Sequence, residues 1–195
     1  MLKLLTPADY ITTPWKNGLG STTEITRDPA GTPGNFDFDW RLSAAAVVED
    51  GPFSTFPGIE RTIVTVSGAG MDLTLAPGQQ HRLLPLAPFT FDGAIAVTGR
   101  LIGGPVRDFN VMVRRAAWST QTIVCRSGHT GVAPVRGVVV IAHALVGGWL
   151  ASSADGHIAL PPDHTLLARA SGPFDLSCAA ADAALLLATL TPVKS

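Results

Sequence analysis

The twelve residues PWKNGLGSTTEI at positions 14–25 concentrate side chains that can bind a small polar molecule. They combine the amine of Lys16, the amide of Asn17, three hydroxyls and the carboxylate of Glu24, and they follow neither a helical nor a strand period. The proline restricts the backbone, whereas the two glycines permit turns, so the segment predicts a shaped loop that presents Lys16 and Asn17. The alternative interpretation is a tight connection in which Trp15 fills the core.

Three later segments carry charged or amide side chains at strand spacing. Alternate residues of a strand face the same side, so each segment presents a polar row. The residues are Arg41 and Ser43 within 39–47, Arg61 at the start of 61–66, and Asp108, Asn110 and Arg114 within 107–115.

These rows predict a site for a carboxylate or an amide. The guanidinium of Arg41 or Arg61 can hold a carboxylate through two hydrogen bonds, while Lys16 and the amides of Asn17 and Asn110 can orient the rest of a ligand. The same residues also allow an internal ion pair, in which Glu24 or Asp108 holds an arginine and braces the protein without a ligand. We expect ligand contact for Arg41 and Arg61, and bracing for Asp108 and Arg114.

The composition of the chain limits the kinds of partner that it is expected to bind. The 195 residues carry a net charge of −1, which provides no broad positive field for nucleic acid. No apolar stretch approaches the length of a membrane span, and the start has too short an apolar run for a signal peptide. Only Cys125 and Cys178 are available for a disulfide, which is typical of a reducing compartment. We therefore expect a cytoplasmic protein with a small-molecule or protein partner.

Short apolar runs separated by glycine and proline predict an all-β fold with little helix. The Ala-rich segment 179–187 suits a short helix by composition, but its leucines favour a buried strand. The runs are Arg61–Val66, Met71–Leu75, Phe109–Val113, Thr122–Cys125, Val138–His143, Thr165–Ala168 and Leu185–Leu190.

Charge is unevenly distributed along the chain. Residues 1–117 carry 21 of the 29 charged side chains, and residues 118–195 carry the other eight. We therefore predict an N-terminal domain over residues 1–117 that contains the site and a C-terminal domain over 118–195. No low-complexity linker separates them, and strand pairing across the approximate boundary is allowed.

Three blocks of the sequence resemble the HutD/Ves family of bacterial proteins: residues 14–25, 39–73 and 104–115. The resemblance implies a bicupin, in which two small, jelly-roll-like β-barrels are packed in one chain. It further implies a link to histidine utilisation or stress response and a regulatory protein that binds small acidic metabolites. Two positions depart from the family pattern: Leu19 replaces a glycine, and Thr23 replaces an arginine.

Carried over residue by residue, the resemblance defines two groups of side chains. The ligand-binding group is Lys16, Asn17, Thr22, Arg41, Ser43, Arg61 and Asn110. The supporting group is Trp15, Glu24, Trp40, Asp108 and Arg114.

Metal and nucleophilic chemistry find little support in the sequence. The HxH pair followed by Glu and a later His, which metal-binding cupins use, is absent, and the five histidines share no short spacing. Neither cysteine has a recognisable His and Asp arrangement around it. We therefore expect no cofactor and no metal.

Three functions remain open. The first is a non-catalytic binder of a small carboxylate or amide metabolite. The second is a metal-independent isomerase or lyase, with Lys16 or Glu24 as general base and Arg41 stabilising an enolate-like charge. The third is a homodimeric scaffold whose apolar C-terminal domain serves as the interaction surface.

Overall fold

The structure, a computed structural model, describes residues 1–16, 18, 20–29, 37–169 and 172–193. Over these residues it is almost entirely β, with a single turn of 3-10 helix at Pro7–Asp9, so the all-β prediction is confirmed. Asn17 and Leu19 lie outside the described residues. No helix in the described part of the chain has the length and hydrophobicity needed to cross a lipid bilayer.

The described residues contain nineteen strands, numbered here in chain order. They are β1 (Leu2–Leu5), β2 (Ile11–Pro14), β3 (Gly20–Asp28), β4 (Trp40–Val47), β5 (Gly51–Pro52), β6 (Ile59–Ser67), β7 (Met71–Leu75), β8 (Gln79–Leu83), β9 (Phe89–Asp92), β10 (Val97–Leu101), β11 (Val106–Arg114), β12 (Trp118–Arg126), β13 (Gly128–Val132), β14 (Val139–Val146), β15 (Trp149–Ser153), β16 (Gly156–Leu160), β17 (Thr165–Arg169), β18 (Phe174–Cys178) and β19 (Ala184–Pro192).

The predicted apolar runs coincide with strands. All seven overlap β6, β7, β11, β12, β14, β17 and β19. The strand favoured for 179–187 forms only from Ala184, because the preceding residues make the turn that leads into β19. From Ala184 to Leu187 every side chain is buried, which explains why this strand lacks an alternating pattern.

Residues Tyr10–Ser119 form one compact unit, called here the N-terminal unit. It contains a six-stranded sheet in the order β2-β3-β4-β11-β6-β9 and a four-stranded sheet in the order β5-β10-β7-β8. An apolar cluster joins the two, with Ile63 and Val106 from the first and Met71, Leu73 and Val97 from the second. The unit is therefore a pair of facing sheets.

The bicupin-type, jelly-roll-like fold that the resemblance implies is present, and over the described residues its sheets in the N-terminal unit have open edges. Within the described residues, hydrogen bonding leaves β2, β9, β5 and β8 as edge strands. Pro14 and Pro52 lie on two of these edges and carry no N–H, so they cannot donate to a further ladder. The jelly-roll-like arrangement is retained without barrel closure.

The second unit combines Met1–Asp9 with Thr120–Ser195 and is called the C-terminal unit. Its sheets have the orders β1-β17-β14-β19-β12 and β13-β18-β15-β16, and both contribute to one apolar core. The first residues belong here because β1 pairs antiparallel with β17, Leu2 opposite Ala168. Both cysteines also lie in this unit, and both are free thiols.

Strand β11 organises the larger sheet of the N-terminal unit, because it pairs with β4 on one side and β6 on the other. Asn110 lies opposite Ser43, and Met112 lies between Arg41 and Arg61. Directly paired residues project to the same face of a sheet. The register therefore brings polar side chains from distant parts of the sequence onto one inner face.

A β-bulge in β3 adds a residue to that face. Glu24 pairs with Ser43, yet Thr26 pairs with Leu42, so the alternation shifts by one between them. As a result Arg27 lies opposite Arg41 and joins Glu24 on the inner face. Strict period 2 along β3 would place these two charged residues on opposite faces.

Replacing Gly20 with alanine is expected to destabilise the protein. A Cβ at Gly20 would collide with the carbonyl oxygen of Ala46 and come within 3.1 Å of the Trp15 ring. Neither the paired backbone nor the indole can move freely, so the expected loss in free energy of unfolding is roughly 2 kcal/mol or more.

Urea denaturation of the Gly20→Ala variant measures this loss. Gly148→Ala is the matched control, because its added Cβ meets no atom within 4 Å. The control is expected to change stability by no more than about 0.5 kcal/mol. Equal, small effects of both substitutions would contradict the packing described for Gly20.

Candidate ligand-binding site

The N-terminal unit contains a cavity of about 530 Å³. Its floor is the inner face of the six-stranded sheet, and its rim includes the end of β2, the connection to β3 and the loop after β5. The lining residues are Ile11, Thr13, Pro14, Trp15, Lys16, Thr22, Glu24, Arg41, Ser43, Ala45, Val47, Pro52, Phe53, Ser54, Phe56, Arg61, Asp108, Asn110 and Met112. A volume of this size suits a small metabolite.

Arg61 is a buried cation on the floor of the cavity. Its residue is only 8% exposed, and its Nε donates a 2.7 Å hydrogen bond to Oδ1 of Asn110. The guanidinium lies 4.8 Å from the ring centroid of Phe53 and 5.5 Å from that of Phe91. Among the described residues, neither Nη1 nor Nη2 of Arg61 has a hydrogen-bond partner, so both can donate to an acceptor in the cavity.

Asp108 lies behind Arg61 and is fully buried. Its Oδ1 accepts a 2.7 Å hydrogen bond from Nδ2 of Asn110, so the amide of Asn110 connects the carboxyl group to the guanidinium. Burial raises the pKa of Asp108 to about 6, against the opposing effects of Arg61 and Asn110. Burial also lowers the pKa of Arg61 to about 10, opposed by Asp108 and reinforced by Arg41. Arg61 therefore stays charged at neutral pH.

Arg41 belongs to a second charged group. Its Nε donates a 2.7 Å hydrogen bond to Oε2 of Glu24, and Nη1 of Arg27 lies 3.9 Å from the same oxygen. The side chains of all three residues are largely buried. Glu24 thus interacts with two guanidinium groups, that of Arg41 at hydrogen-bond distance and that of Arg27 at a longer one.

The rim is built by the turn between β2 and β3. The backbone N–H of Trp15 donates to the carbonyl of Gly20, and its indole Nε1 donates a 2.7 Å hydrogen bond to Oγ1 of Thr22. The hydroxyl of Thr22 is therefore already hydrogen-bonded to Trp15. Lys16 is exposed at the mouth, where its amine can reach the outer part of a ligand.

The structure brings most of the predicted residues together. Ser43 is buried on the floor beside Asn110, and Lys16, Thr22, Arg41 and Arg61 line the same cavity. The prediction for Asn17 lies outside the described residues.

Two predicted supporting residues lie away from the cavity. Trp40 is fully buried on the opposite face of β4. Arg114 forms ion pairs with Asp37 and Asp39 at 3.1 Å and donates to the carbonyl of Phe38. It therefore fastens the segment before β4 to the end of β11.

Thr23 also points away from the cavity. It pairs with Ala44 on one side and Thr12 on the other, and its hydroxyl lies 2.8 Å from that of Thr12. The difference from the family pattern at this position therefore removes no guanidinium from the cavity.

Three further residues contact the charged groups of the floor and were not among the predicted site residues. Phe91 contacts Arg61 because β9 pairs with β6 at this point. A contact that depends on the pairing of two separate strands gives no signal in the local sequence. Arg27 reaches the inner face only through the bulge in β3. The ring of Phe53 lies over the guanidinium of Arg61. Its neighbours Gly51 and Pro52 were visible signals for a turn that could aim the ring inward.

The arrangement suits recognition of a carboxylate. Three cationic side chains, Lys16, Arg41 and Arg61, line the cavity with only two acidic ones, Glu24 and Asp108. A carboxylate in the plane of the Arg61 guanidinium can accept hydrogen bonds from both Nη atoms. Among the described residues, no group of three or more His, Cys, Asp or Glu side chains is placed to hold a metal ion.

Paired sheets repeated in two units define this chain as a bicupin-type protein. The pirin YhhW from Escherichia coli shares the fold with a TM-score of 0.68, at 10% identity over 99% of this chain and 100% of that one. The family is defined by sequence: the HutD family model matches residues 7–186, and the chain belongs to the HutD family.

Two relatives from Pseudomonas support this assignment. HutD from Pseudomonas fluorescens SBW25, in a formate condition, has 33% identity and a TM-score of 0.84, with complete coverage of both chains. An uncharacterised 21.2 kDa Pseudomonas putida protein in the hutC 3′ region is 49% identical over 112 residues. That match spans 57% of this chain and 57% of the Pseudomonas putida protein.

Asp108→Asn is expected to change how stability depends on pH. Because the pKa of Asp108 is raised to about 6, the folded protein binds this proton more tightly than the unfolded chain. The stabilisation from the bound proton is complete below about pH 4 and is lost as pH rises through 6. Asparagine cannot ionise, so the variant does not lose this stabilisation. Its free energy of unfolding, relative to that of wild type, should therefore rise by roughly 2 kcal/mol between pH 4 and 7.

Chemical denaturation at four pH values from 4 to 7 checks this change. Asp72→Asn is the control, because hydrogen bonding from Arg82 lowers the pKa of Asp72 and its titration falls below this pH range, so its profile should run nearly parallel to that of wild type. Parallel pH profiles for wild type and Asp108→Asn would show that Asp108 titrates like an exposed carboxyl group.

Proposed function

We propose that the protein is a non-catalytic binder of a small carboxylate or amide metabolite, with a regulatory role in amino-acid catabolism of the histidine type. The observation that carries the proposal is the buried guanidinium of Arg61. Asn110 holds it at Nε, and the rings of Phe53 and Phe91 flank it, while both Nη atoms remain available to the cavity. A preorganised donor pair of this kind favours a planar anionic group.

The metabolic context comes from the family. The HutD name and the hutC 3′ region of the Pseudomonas putida relative favour a role in histidine utilisation. The formate condition of the Pseudomonas fluorescens structure provides a simple carboxylate as a test ligand. We include a cytoplasmic location in the proposal. Both cysteines of the described residues are free thiols, which is typical of proteins in a reducing compartment.

The site gives less support to an enzyme that uses Lys16 or Glu24 as a base. Glu24 accepts a hydrogen bond from Arg41 and lies near Arg27, so its carboxylate is already engaged by two cations. Lys16 is exposed at the mouth, where water competes for its amine. The homodimer stays a prediction, which sedimentation velocity over a range of protein concentrations checks.

A thermal-shift screen tests carboxylate binding. The probes are formylated glutamate, urocanate and formate, with an uncharged sugar as the negative control, each with and without added divalent metal. We expect at least one carboxylate to raise Tm without metal, because a ligand that binds only the folded state stabilises it. A rise that requires metal, or no rise with any carboxylate, would contradict the proposal.

Arg61→Lys identifies the anchoring group. Lysine keeps the charge opposite Asp108 but loses the planar donor pair, so affinity for the stabilising carboxylate is expected to fall by about ten- to a hundredfold. Arg82→Lys is the matched control, since Arg82 pairs with Asp72 on the exposed surface outside the cavity. Titration calorimetry measures both variants. Unchanged affinity in Arg61→Lys would make Arg61 a structural brace.

A further inference from the structure

Asp108 is a carboxyl group with one unsatisfied oxygen. It is fully buried at the cavity floor, and Oδ1 accepts the hydrogen bond from Asn110. Oδ2 is buried and has no hydrogen-bond partner among the described residues. An ionised carboxylate in this setting is costly, because burial removes the water that would otherwise solvate Oδ2.

The negative charge of Asp108 interacts mainly with the guanidinium of Arg61. Glu24 is bonded to Arg41, so within the cavity Asp108 is the acidic group coupled to Arg61. The coupling passes through Asn110, which accepts from Arg61 at Oδ1 and donates to Asp108 from Nδ2. An anionic ligand at Arg61 therefore competes with Asp108 for the same positive charge.

The other groups facing Asp108 do not remove this competition. From β4, Arg41 is already paired with Glu24 of β3, and the direct neighbour of Asp108 is Ala45. From β6, the direct neighbour is Thr65, which is uncharged. The loop after β5 contributes Phe53 and Ser54, neither of which carries a charge, and Lys16 is exposed at the mouth.

We propose that the cavity binds its carboxylate ligand together with one proton, and that this proton resides on Oδ2 of Asp108. This inference rests on the proposed carboxylate-binding function and specifies its chemistry. Solvent supplies the proton, and no covalent bond between heavy atoms changes. Neutral Asp108 leaves the full charge of Arg61 to the ligand, while Oδ1 continues to accept from Asn110. The chain from Asp108 through Asn110 to Arg61 therefore stays intact on binding.

The pKa of Asp108 supports this coupling over the physiological range. Burial raises it to about 6 without a ligand, so the group is mostly ionised at pH 7. A nearby ligand carboxylate disfavours the charged form further and moves the pKa upward. The ligand complex therefore holds a proton at pH 7 that the free protein has largely released.

Titration calorimetry with formylated glutamate and with formate tests proton uptake directly. In buffers that differ in ionisation enthalpy, the observed heat at pH 7 is expected to vary with the buffer and to report between about half and one proton taken up per ligand bound. The association constant should be nearly constant from pH 5.5 to 6. It should then fall by up to about tenfold per pH unit toward pH 8.

Asp108→Asn separates this group from the others. The amide resembles the neutral acid in shape and cannot ionise, so the variant is expected to bind without proton uptake and with a flat pH profile. Asp72→Asn is the control, because Asp72 pairs with Arg82 on the exposed surface outside the cavity, and it should keep the proton uptake of wild type. Uptake that persists in Asp108→Asn, or that disappears in Asp72→Asn as well, would overturn the assignment to Asp108.

A measurement on the unmodified protein keeps the proposal independent of how the variants fold. In carbon-13 spectra of the aspartate carboxyl groups at pH 7, adding formate should move one signal from the ionised to the protonated position. Formate binding with no such change and no buffer-dependent heat would overturn the proton coupling while leaving carboxylate binding intact. If none of the three carboxylates of the thermal-shift screen binds at any pH, the proposed function itself fails.

Discussion

The pairing of β11 with both β4 and β6 is the constraint on which the site depends. Each of these strands reaches the sheet from a different part of the sequence, and their register alone sets which side chains share a face. A slip of one residue in either ladder would turn Arg41 or Arg61 to the opposite face, where Trp40 and Phe109 are fully buried. Apolar packing on that opposite face therefore also keeps the charged residues on the cavity side.

The site accommodates its buried charges in two different ways. Arg41 contacts a carboxylate directly, and Glu24 serves both Arg41 and Arg27. Arg61 instead donates to the amide of Asn110, and its counter-charge, Asp108, lies on the other side of that amide. A direct ion pair would satisfy Arg61 and reduce its attraction for a ligand. The inserted amide keeps the guanidinium oriented without fully neutralising it, which is the condition that a receptor for an anion requires.

Much of the fold and part of the site followed from the sequence, for identifiable physical reasons. Strand positions were visible because short apolar runs of four to six residues were separated by segments rich in glycine and proline. Arg41 and Arg61 were visible because each is a charged residue within or at the start of a segment with strand spacing. Phe91 could not be identified from the sequence, because its contact with Arg61 depends on pairing between β6 and β9.

Two further features depended on structure beyond the local pattern. The inward position of Arg27 depends on a bulge that breaks strand alternation, and period 2 gives no indication of it. The family resemblance implied the bicupin arrangement, but the open edges of the sheets follow from strand pairing, with short or proline-containing strands at the margins. The first nine residues could not be assigned by composition, because their place follows from the pairing of β1 with β17.

The floor and the rim of the cavity belong to strands with different freedom to change. Arg61 and Asn110 lie on β6 and β11, which are held by neighbours on both sides, whereas Trp15 and Lys16 lie beside the edge strand β2. The rim beside β2 therefore rests on the single ladder between β2 and β3, whereas each strand that carries Arg61 or Asn110 rests on two ladders. A disturbance of the outer ladder stays at the mouth, and a disturbance at the base reaches the strands on both sides of it.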